Sequence, residues 1–439
     1  MPVSRLNDFS AVDAAAVAKA ADEYGTPVYL YDEKLIRERC RECMSMPNEF
    51  GITVRYAMKA NSNRTLLKII SDEGLHIDAS SLNEAIRANL AGIPLENIML
   101  TTQEVHTGAA RVKLEDLLRK GLKYNICSLR QLELVADFAA ANRIDPGIRI
   151  HPGIGSGESA TRNTGDDYSC FGVHMTNVGE AIGYAVDNGL RFRHIHVHIG
   201  SGADSEKWRQ NIDLELSIIE KHFPDAQTVC FGGGLKEARM PDENAADISS
   251  LGGYAKMRIR EFYEKTGRKL CMEIEPGTYI IANAGYAITR VIDKKSTARS
   301  NFIIIDGGME INSRPLLYGS KHPLYFVSAD GAQVRSSEFT AASAAAAGTS
   351  YSAVVAGKCC ESGDCQTLDM DGHSTARDMT EPDIEDIAII GGAGAYCSSM
   401  SPFNYNSHTQ IPELLLTADS RLELIRKRQT LEQMMENEL

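Results

Sequence analysis

Short apolar runs alternate with amphipathic stretches from about Val28 to Ile280. Eight of the runs read as strands, at residues 54–59, 76–80, 98–102, 124–128, 147–152, 194–200, 228–233 and 271–277. Helical patterns fill the gaps. Ser81-Leu82-Asn83-Glu84 is a capping box that opens a helix running through Leu90, and a second long pattern begins near Ser205 and continues through Ile219. Strands that are apolar throughout, rather than alternating, are those buried on both faces of a parallel sheet. Eight of them suffice to close a barrel, although an open doubly wound sheet would show the same alternation. The polar residues break the tie. Lys59, Asp78, His198, the glycines after Phe231 and Glu275 all stand at C-terminal strand ends. In a barrel those ends form one mouth, whereas an open sheet would string them along an edge. The pattern therefore predicts an α/β chain with a (β/α)8 TIM-type barrel over residues 28–284.

Beyond about Ala284 the texture changes. Residues 302–306, 352–357 and 384–391 are β-like and long helical patterns are missing, which predicts a C-terminal mostly-β domain over 285–439, joined by residues 1–27. The tail 422–439 reads as a terminal helix, with a Thr430-Leu431-Glu432-Gln433 capping box inside it.

Composition narrows the function classes. The formal net charge is −13 over 439 residues, which argues against a general nucleic-acid binder, since that would need a basic footprint. No apolar run reaches the roughly 18–20 residues that span a bilayer, and the start of the chain lacks the apolar core of a secretory signal. Ten scattered cysteines do not make a disulfide framework, so a reducing cytoplasm is expected. Cys359-Cys360 with Cys365 lacks a second pair at zinc-ligand spacing, and no metal is expected there.

Several constellations carry chemistry. Lys59 ends an apolar strand: taken alone it reads as a solvated lysine at a strand end, but if it is desolvated there it would have a depressed pKa and attack an aldehyde well. His194, His196 and His198 share one face of a strand. They fit metal ligation, hydrogen-bonded core histidines, or a ring lying flat on a ligand. Ile199-Gly200-Ser201-Gly202 follows as a small-residue loop whose N–H groups and Ser201 hydroxyl can approach an anion, and Gly232–Gly234 supplies a second such loop. Glu275 in a barrel mouth must pair with a positive group or stay protonated, and a pyridinium nitrogen is one such partner. In the second domain, Cys360-Glu361-Ser362-Gly363-Asp364 and Gly394-Ala395-Tyr396 lie in polar, glycine-rich loops.

Together these pieces resemble the fold-type III pyridoxal-phosphate decarboxylases, nearly end to end. The resemblance rests on Tyr56–Asn61, His196–Ser201, Gly232–Gly234, Glu275-Pro276-Gly277, Arg314–Gly319, Cys360–Asp364, Gly394–Tyr396 and Asn404–Asn406. It implies an alanine-racemase-like barrel carrying pyridoxal 5'-phosphate. Lys59 would hold the cofactor covalently with Asp78 nearby, His198 would stack on its ring, and Glu275 would pair with its nitrogen. Ser201, Gly234, Gly277 and Tyr396 would surround its phosphate, with Thr278 beside them. Cys360 would be the general acid, and Arg314, Tyr318, Glu361 and Tyr396 would hold the far end of a small diamino acid. The Cys360 loop would enter the partner subunit's barrel, making a homodimer with shared active sites.

The resemblance implies decarboxylation, because racemases of this fold class place an arginine where Glu275 stands. Meso-2,6-diaminopimelate, giving L-lysine, is the first substrate expected. One departure bears on it: the family's Glu-Pro-Gly-Arg ends here in Thr278, so the arginine that would reach the phosphate and the substrate's distal carboxylate is replaced by a hydroxyl. A cysteine, Cys170, likewise stands where the family often has lysine. D-Lysine, ornithine or arginine, which lack that carboxylate, is the alternative. From other classes there remain a metal-dependent barrel hydrolase using His194 and His196, and a non-catalytic cofactor carrier that would have no need of Cys360-Glu361.

Overall fold

The computed structural model describes residues 14–153, 168–200, 205–332, 334–337 and 350–439. The chain divides into two compact units. One holds residues 37–236 and 245–280; the other holds the described residues up to 36, the stretch 237–244, and the chain from 281 onward. The expected divisions were at 27/28 and 284/285.

The first unit is the barrel. Its strands are Ile52–Ala57, His76–Ala79, Ile98–Thr101, Lys123–Ile126, Gly147–His151, His194–Val197, Thr228–Cys230 and Cys271–Ile274. Each runs parallel to the next, and the last pairs with the first through Met272 opposite Ile52, which closes the sheet. All eight expected strands are present, each ending one to three residues early. The residues past those ends carry the chemistry, and a ladder hydrogen bond would tie down backbone that a ligand site needs in loops. The helix Leu82–Leu90 starts where its sequence says: Ser81 Oγ accepts from the Glu84 N–H at 3.0 Å. The return bond goes one residue upstream of a standard capping box, with the Ser80 N–H donating to Glu84 at 2.7 Å.

Inside the barrel, below the mouth, lies a buried ion pair that sequence periodicity does not reveal. Arg55 Nε is 2.9 Å from Glu273 Oε1, both side chains being 2% exposed, and His194 Nε2 is 2.8 Å from the same oxygen. Burial alone would raise the Glu273 pKa, but Arg55 and then His194 outweigh it and hold the carboxyl at about 2 rather than 4.5. A depressed carboxylate stabilises the fold above its unfolded pKa, and that contribution fades as pH falls from about 4.5 towards about 2. Arg55→Met should therefore cost roughly 3–5 kcal/mol at pH 7, because it strands a buried charge. The loss should shrink at pH 5, where the stranded Glu273 can take up a proton. Urea unfolding midpoints at the two pH values check this, and an equal loss at both would show that Glu273 does not carry the effect.

The second unit is built on a sheet of ten strands among the described residues, with Gly285–Ser296 pairing to Val28–Asp32, Ile387–Ile390 and Asn301–Ile305. The helix Ala14–Tyr24 buries Val17, Ala18, Ala20 and Ala21 against Val28, Leu30, Tyr286 and Ile389. Val28–Asp32 lies here, antiparallel to Gly285–Ser296 and parallel to Glu413–Leu416. The tail differs from its expected helix. Leu422–Arg426 is a strand antiparallel to Glu413–Leu416, and only Leu431–Met435 is helical, opened by the Thr430 capping box. A partner strand outweighs local helical preference there. Among the described residues no helix is long and apolar enough to cross a membrane.

Candidate active site

The barrel mouth gathers Lys59, Asp78, His198 and Glu275 as the sequence pattern required. Lys59 sits in the single turn Met58–Ala60 that follows the first strand, and its side chain is exposed. The backbone leaves the strand after Ala57, so Lys59 follows the strand end rather than continuing it. Its charge is nevertheless felt by its neighbours. Asp78, at the end of the second strand, is 3% exposed. Burial and then the charge of Glu275 push its carboxyl well above the usual range, with Lys59 pulling it back.

Glu275 is the ionised group of the mouth. Burial acts to raise its pKa, but His196 and, beyond it, the Arg149 charge outweigh burial and hold the carboxyl well below its ordinary value. His196 Nε2 lies 3.3 Å from Glu275 Oε2, and Cys230 Sγ donates to Glu275 Oε1 at 3.4 Å. Asn125 Nδ2 donates to His196 Nδ1 at 2.9 Å, which leaves the ring proton on Nε2, facing the carboxylate. His198 is kept neutral first by burial and then by the charges of Arg149 and Lys59, and its Nδ1 accepts the Gly233 N–H at 3.1 Å.

The glycine loop is glycine for a steric reason. Gly232 and Gly234 have φ of +69° and +85°. A Cβ on Gly232 would lie 2.7 Å from His198 Nδ1, and one on Gly233 would lie 2.5 Å from the Glu275 carbonyl oxygen. The loop can thus pack its bare backbone against both functional residues. Gly277 precedes the short helix Thr278–Ile281, and Thr278 itself is half-buried. Ser201 lies outside the described residues. Arg149, Asn125 and Cys230 escaped the sequence reading. Arg149 left one trace, a cation inside the apolar strand Gly147–His151.

The second unit holds the other candidates. Arg314 opens the five-residue helix Arg314–Tyr318, and its guanidinium carbon lies 5.7 Å from the Tyr318 ring centre and 5.8 Å from that of Tyr396. Tyr396 has φ +52°, left-handed backbone that a non-glycine residue adopts only where the surroundings impose it. The two neighbouring cysteines divide. Cys359 is buried and donates to Glu310 at 3.3 Å, whereas Cys360 is exposed. The loop between them and Asp364 is pinned from both sides. Asp364 accepts the N–H groups of Met309 and Cys359, each at 2.6 Å, and Asn406 Oδ1 accepts the Cys360 N–H at 2.8 Å. Tyr405 OH donates to Glu361 at 2.9 Å and so lowers the pKa of that exposed carboxyl.

A closed (β/α)8 barrel with a lysine, an ionised carboxylate and a bare glycine loop at its mouth belongs to a class of barrel enzymes, and its residues fit a cofactor that is held by an amine and has a ring nitrogen for the carboxylate. Comparison agrees. Residues 34–282 match the family model described as pyridoxal-dependent decarboxylase, pyridoxal binding domain. The diaminopimelate decarboxylase of Escherichia coli K12 is 30% identical over 443 residues, covering 100% of both chains, and that of Streptomyces coelicolor is 32% identical, covering 98% of this chain and 93% of its own. The crystal structure of the Helicobacter pylori diaminopimelate decarboxylase complexed with L-lysine superposes with a TM-score of 0.78 at 26% identity, over 95% of this chain and 98% of that one. The chain belongs to the diaminopimelate decarboxylase family of pyridoxal-dependent decarboxylases.

Proposed function

We propose that this protein is a pyridoxal-phosphate-dependent carboxy-lyase that converts meso-2,6-diaminopimelate to L-lysine and CO2, the last step of lysine biosynthesis. The observation that carries the reading is Glu275, held ionised in the barrel mouth by His196 and fixed in place through Asn125. A carboxylate there keeps a pyridine nitrogen protonated, and the bound cofactor then supplies an electron sink for the pair left when the carboxylate departs as CO2.

Each residue has a definable task. Lys59 would offer the amine that holds the cofactor. Asp78 shares the lysine's field, and the neutral His198 presents a ring face without adding charge. Gly234, Gly277, Ser201, Thr278 and Tyr396 receive the phosphate. Cys360 returns a proton to the carbon that has lost CO2, and Arg314, Tyr318, Glu361 and Tyr396 fix the substrate's distal end.

The active unit is a homodimer in which Cys360 serves the partner subunit's site. Supporting this, Cys360 is exposed, and Leu316, Leu317, Met370 and Phe403 on the same unit are also exposed, apolar area of the kind that partner surfaces cover. Ten free cysteines fit a reducing cytoplasm.

The substrate is tested at Arg314. Arg314→Ala should raise KM for diaminopimelate by roughly ten- to a hundredfold, since a carboxylate loses a charge-assisted partner. It should affect D-lysine or ornithine far less. Thr278→Arg should improve diaminopimelate use or leave it unchanged. The measurement is kcat/KM for each variant on each substrate. Wild-type preference for D-lysine or ornithine, with Arg314→Ala weakening every substrate equally, would replace this reading by the diamino-acid alternative that Thr278 keeps in view.

A further inference from the structure

Arg239 lies in the stretch 237–244, which among the described residues between 37 and 280 is the one part that groups with the β-rich unit. It is 7% exposed and held at several points. Asn283 Nδ2 donates to Glu237 Oε1 at 3.0 Å and to the Ala238 carbonyl at 2.8 Å, shaping the approach. The Arg239 N–H goes to Glu243 at 2.8 Å, and its Nε donates to the Gly392 carbonyl at 3.0 Å. Gly392, at φ +62°, could not carry a side chain there, because a Cβ would fall 2.8 Å from Arg239 Cδ. The arginine is thus fixed at its backbone, at its neighbours and at Nε.

The loop 391–397 connects this guanidinium to that of Arg314. The Gly391 carbonyl accepts from His322 Nδ1 at 2.8 Å, and Gly392 grips Arg239. Further along, Tyr396 lies beside the Arg314 guanidinium, and Cys397 Sγ is 3.3 Å from Asn312 Oδ1, the atom that also accepts the Arg314 N–H at 3.4 Å. His322 is fully buried, and its Nε2 has no hydrogen-bond partner among the described residues. Burial and then the charges of Arg239 and Arg314 hold it neutral. Two guanidiniums thus bear on one uncharged ring, a setting that favours an incoming anion.

We propose that Arg239 acts with Arg314 as the second guanidinium recognising the distal carboxylate of a diamino dicarboxylic substrate, a role for which Thr278 offers only a hydroxyl. The inference rests on the function proposed above and extends it to a residue outside the expected site. A single fork can bind a carboxylate; two raise discrimination against substrates that lack one.

The test is Arg239→Gln, with Arg239→Lys as the variant that keeps the charge without the planar fork. For Arg239→Gln, KM for meso-diaminopimelate should rise roughly ten- to a hundredfold, with kcat within a few-fold of wild type. Inhibition by pimelate, which has the two carboxylates and no amine, should weaken by a similar factor. Inhibition by 1,5-diaminopentane, which has the amines and no carboxylate, should not change, and Arg239→Lys should fall between Gln and wild type. Unchanged KM and pimelate inhibition would overturn the proposal, as would an equal weakening of all three ligands, the sign of a purely structural clamp. A wild-type enzyme inactive on diaminopimelate would instead defeat the functional reading itself, and this inference with it.

Discussion

Lys59→Ala is expected to abolish turnover. The side chain is the amine standing in the barrel mouth, within the electrostatic reach of both Asp78 and His198. Removing it takes away the covalent anchor for the cofactor and the group that the substrate's amine displaces, a loss of roughly a thousandfold or more in kcat/KM. Two readouts should move together. Borohydride reduction should leave a phosphopyridoxyl mass on the peptide containing residue 59 in wild type and none in the variant. Normal decarboxylation by Lys59→Ala would overturn the cofactor assignment, because no other residue has been given that task.

Cys360→Ala should leave the cofactor bound and KM little changed while kcat falls by roughly a hundred- to ten-thousandfold, the range for losing a positioned general acid. The thiol is exposed, yet its backbone is fastened to Asn406 and, through Cys359, to Asp364. A mobile thiol could not be a selective acid; one on a pinned loop can. If the loop serves the partner's site, mixing inactive Lys59→Ala and Cys360→Ala proteins should restore activity. Random exchange makes half the dimers mixed, each with one intact site, so about a quarter of wild-type activity should return. Verified exchange without recovery would place Cys360 in its own subunit's site.

The barrel was legible because its cues are local. Each strand is an uninterrupted apolar run, and Ser81 marks a helix start by an interaction three residues long. The mouth was legible for the same reason, since Lys59, Asp78, His198 and Glu275 each stand at or just past the end of such a run. What failed was a strand pairing close by in the chain, a hairpin whose turn is residues 417–421. Leu422–Arg426 looks helical by itself and becomes a strand only because Glu413–Leu416 presents a free edge.

Sequence by itself therefore determined the class of fold, the order of strands around the barrel, the residue types at its mouth and the family resemblance, because period, caps and turn residues are written in consecutive positions. Tertiary structure alone decided how those residues are charged and held. Asn125, His196 and Glu275 meet from two strands and the loop after a third, Arg55 finds Glu273 more than two hundred residues away, and Arg239 is gripped by Gly392. Protonation and orientation depend on burial and on the nearest charges in space, and folding brings those together from positions that no sequence window contains.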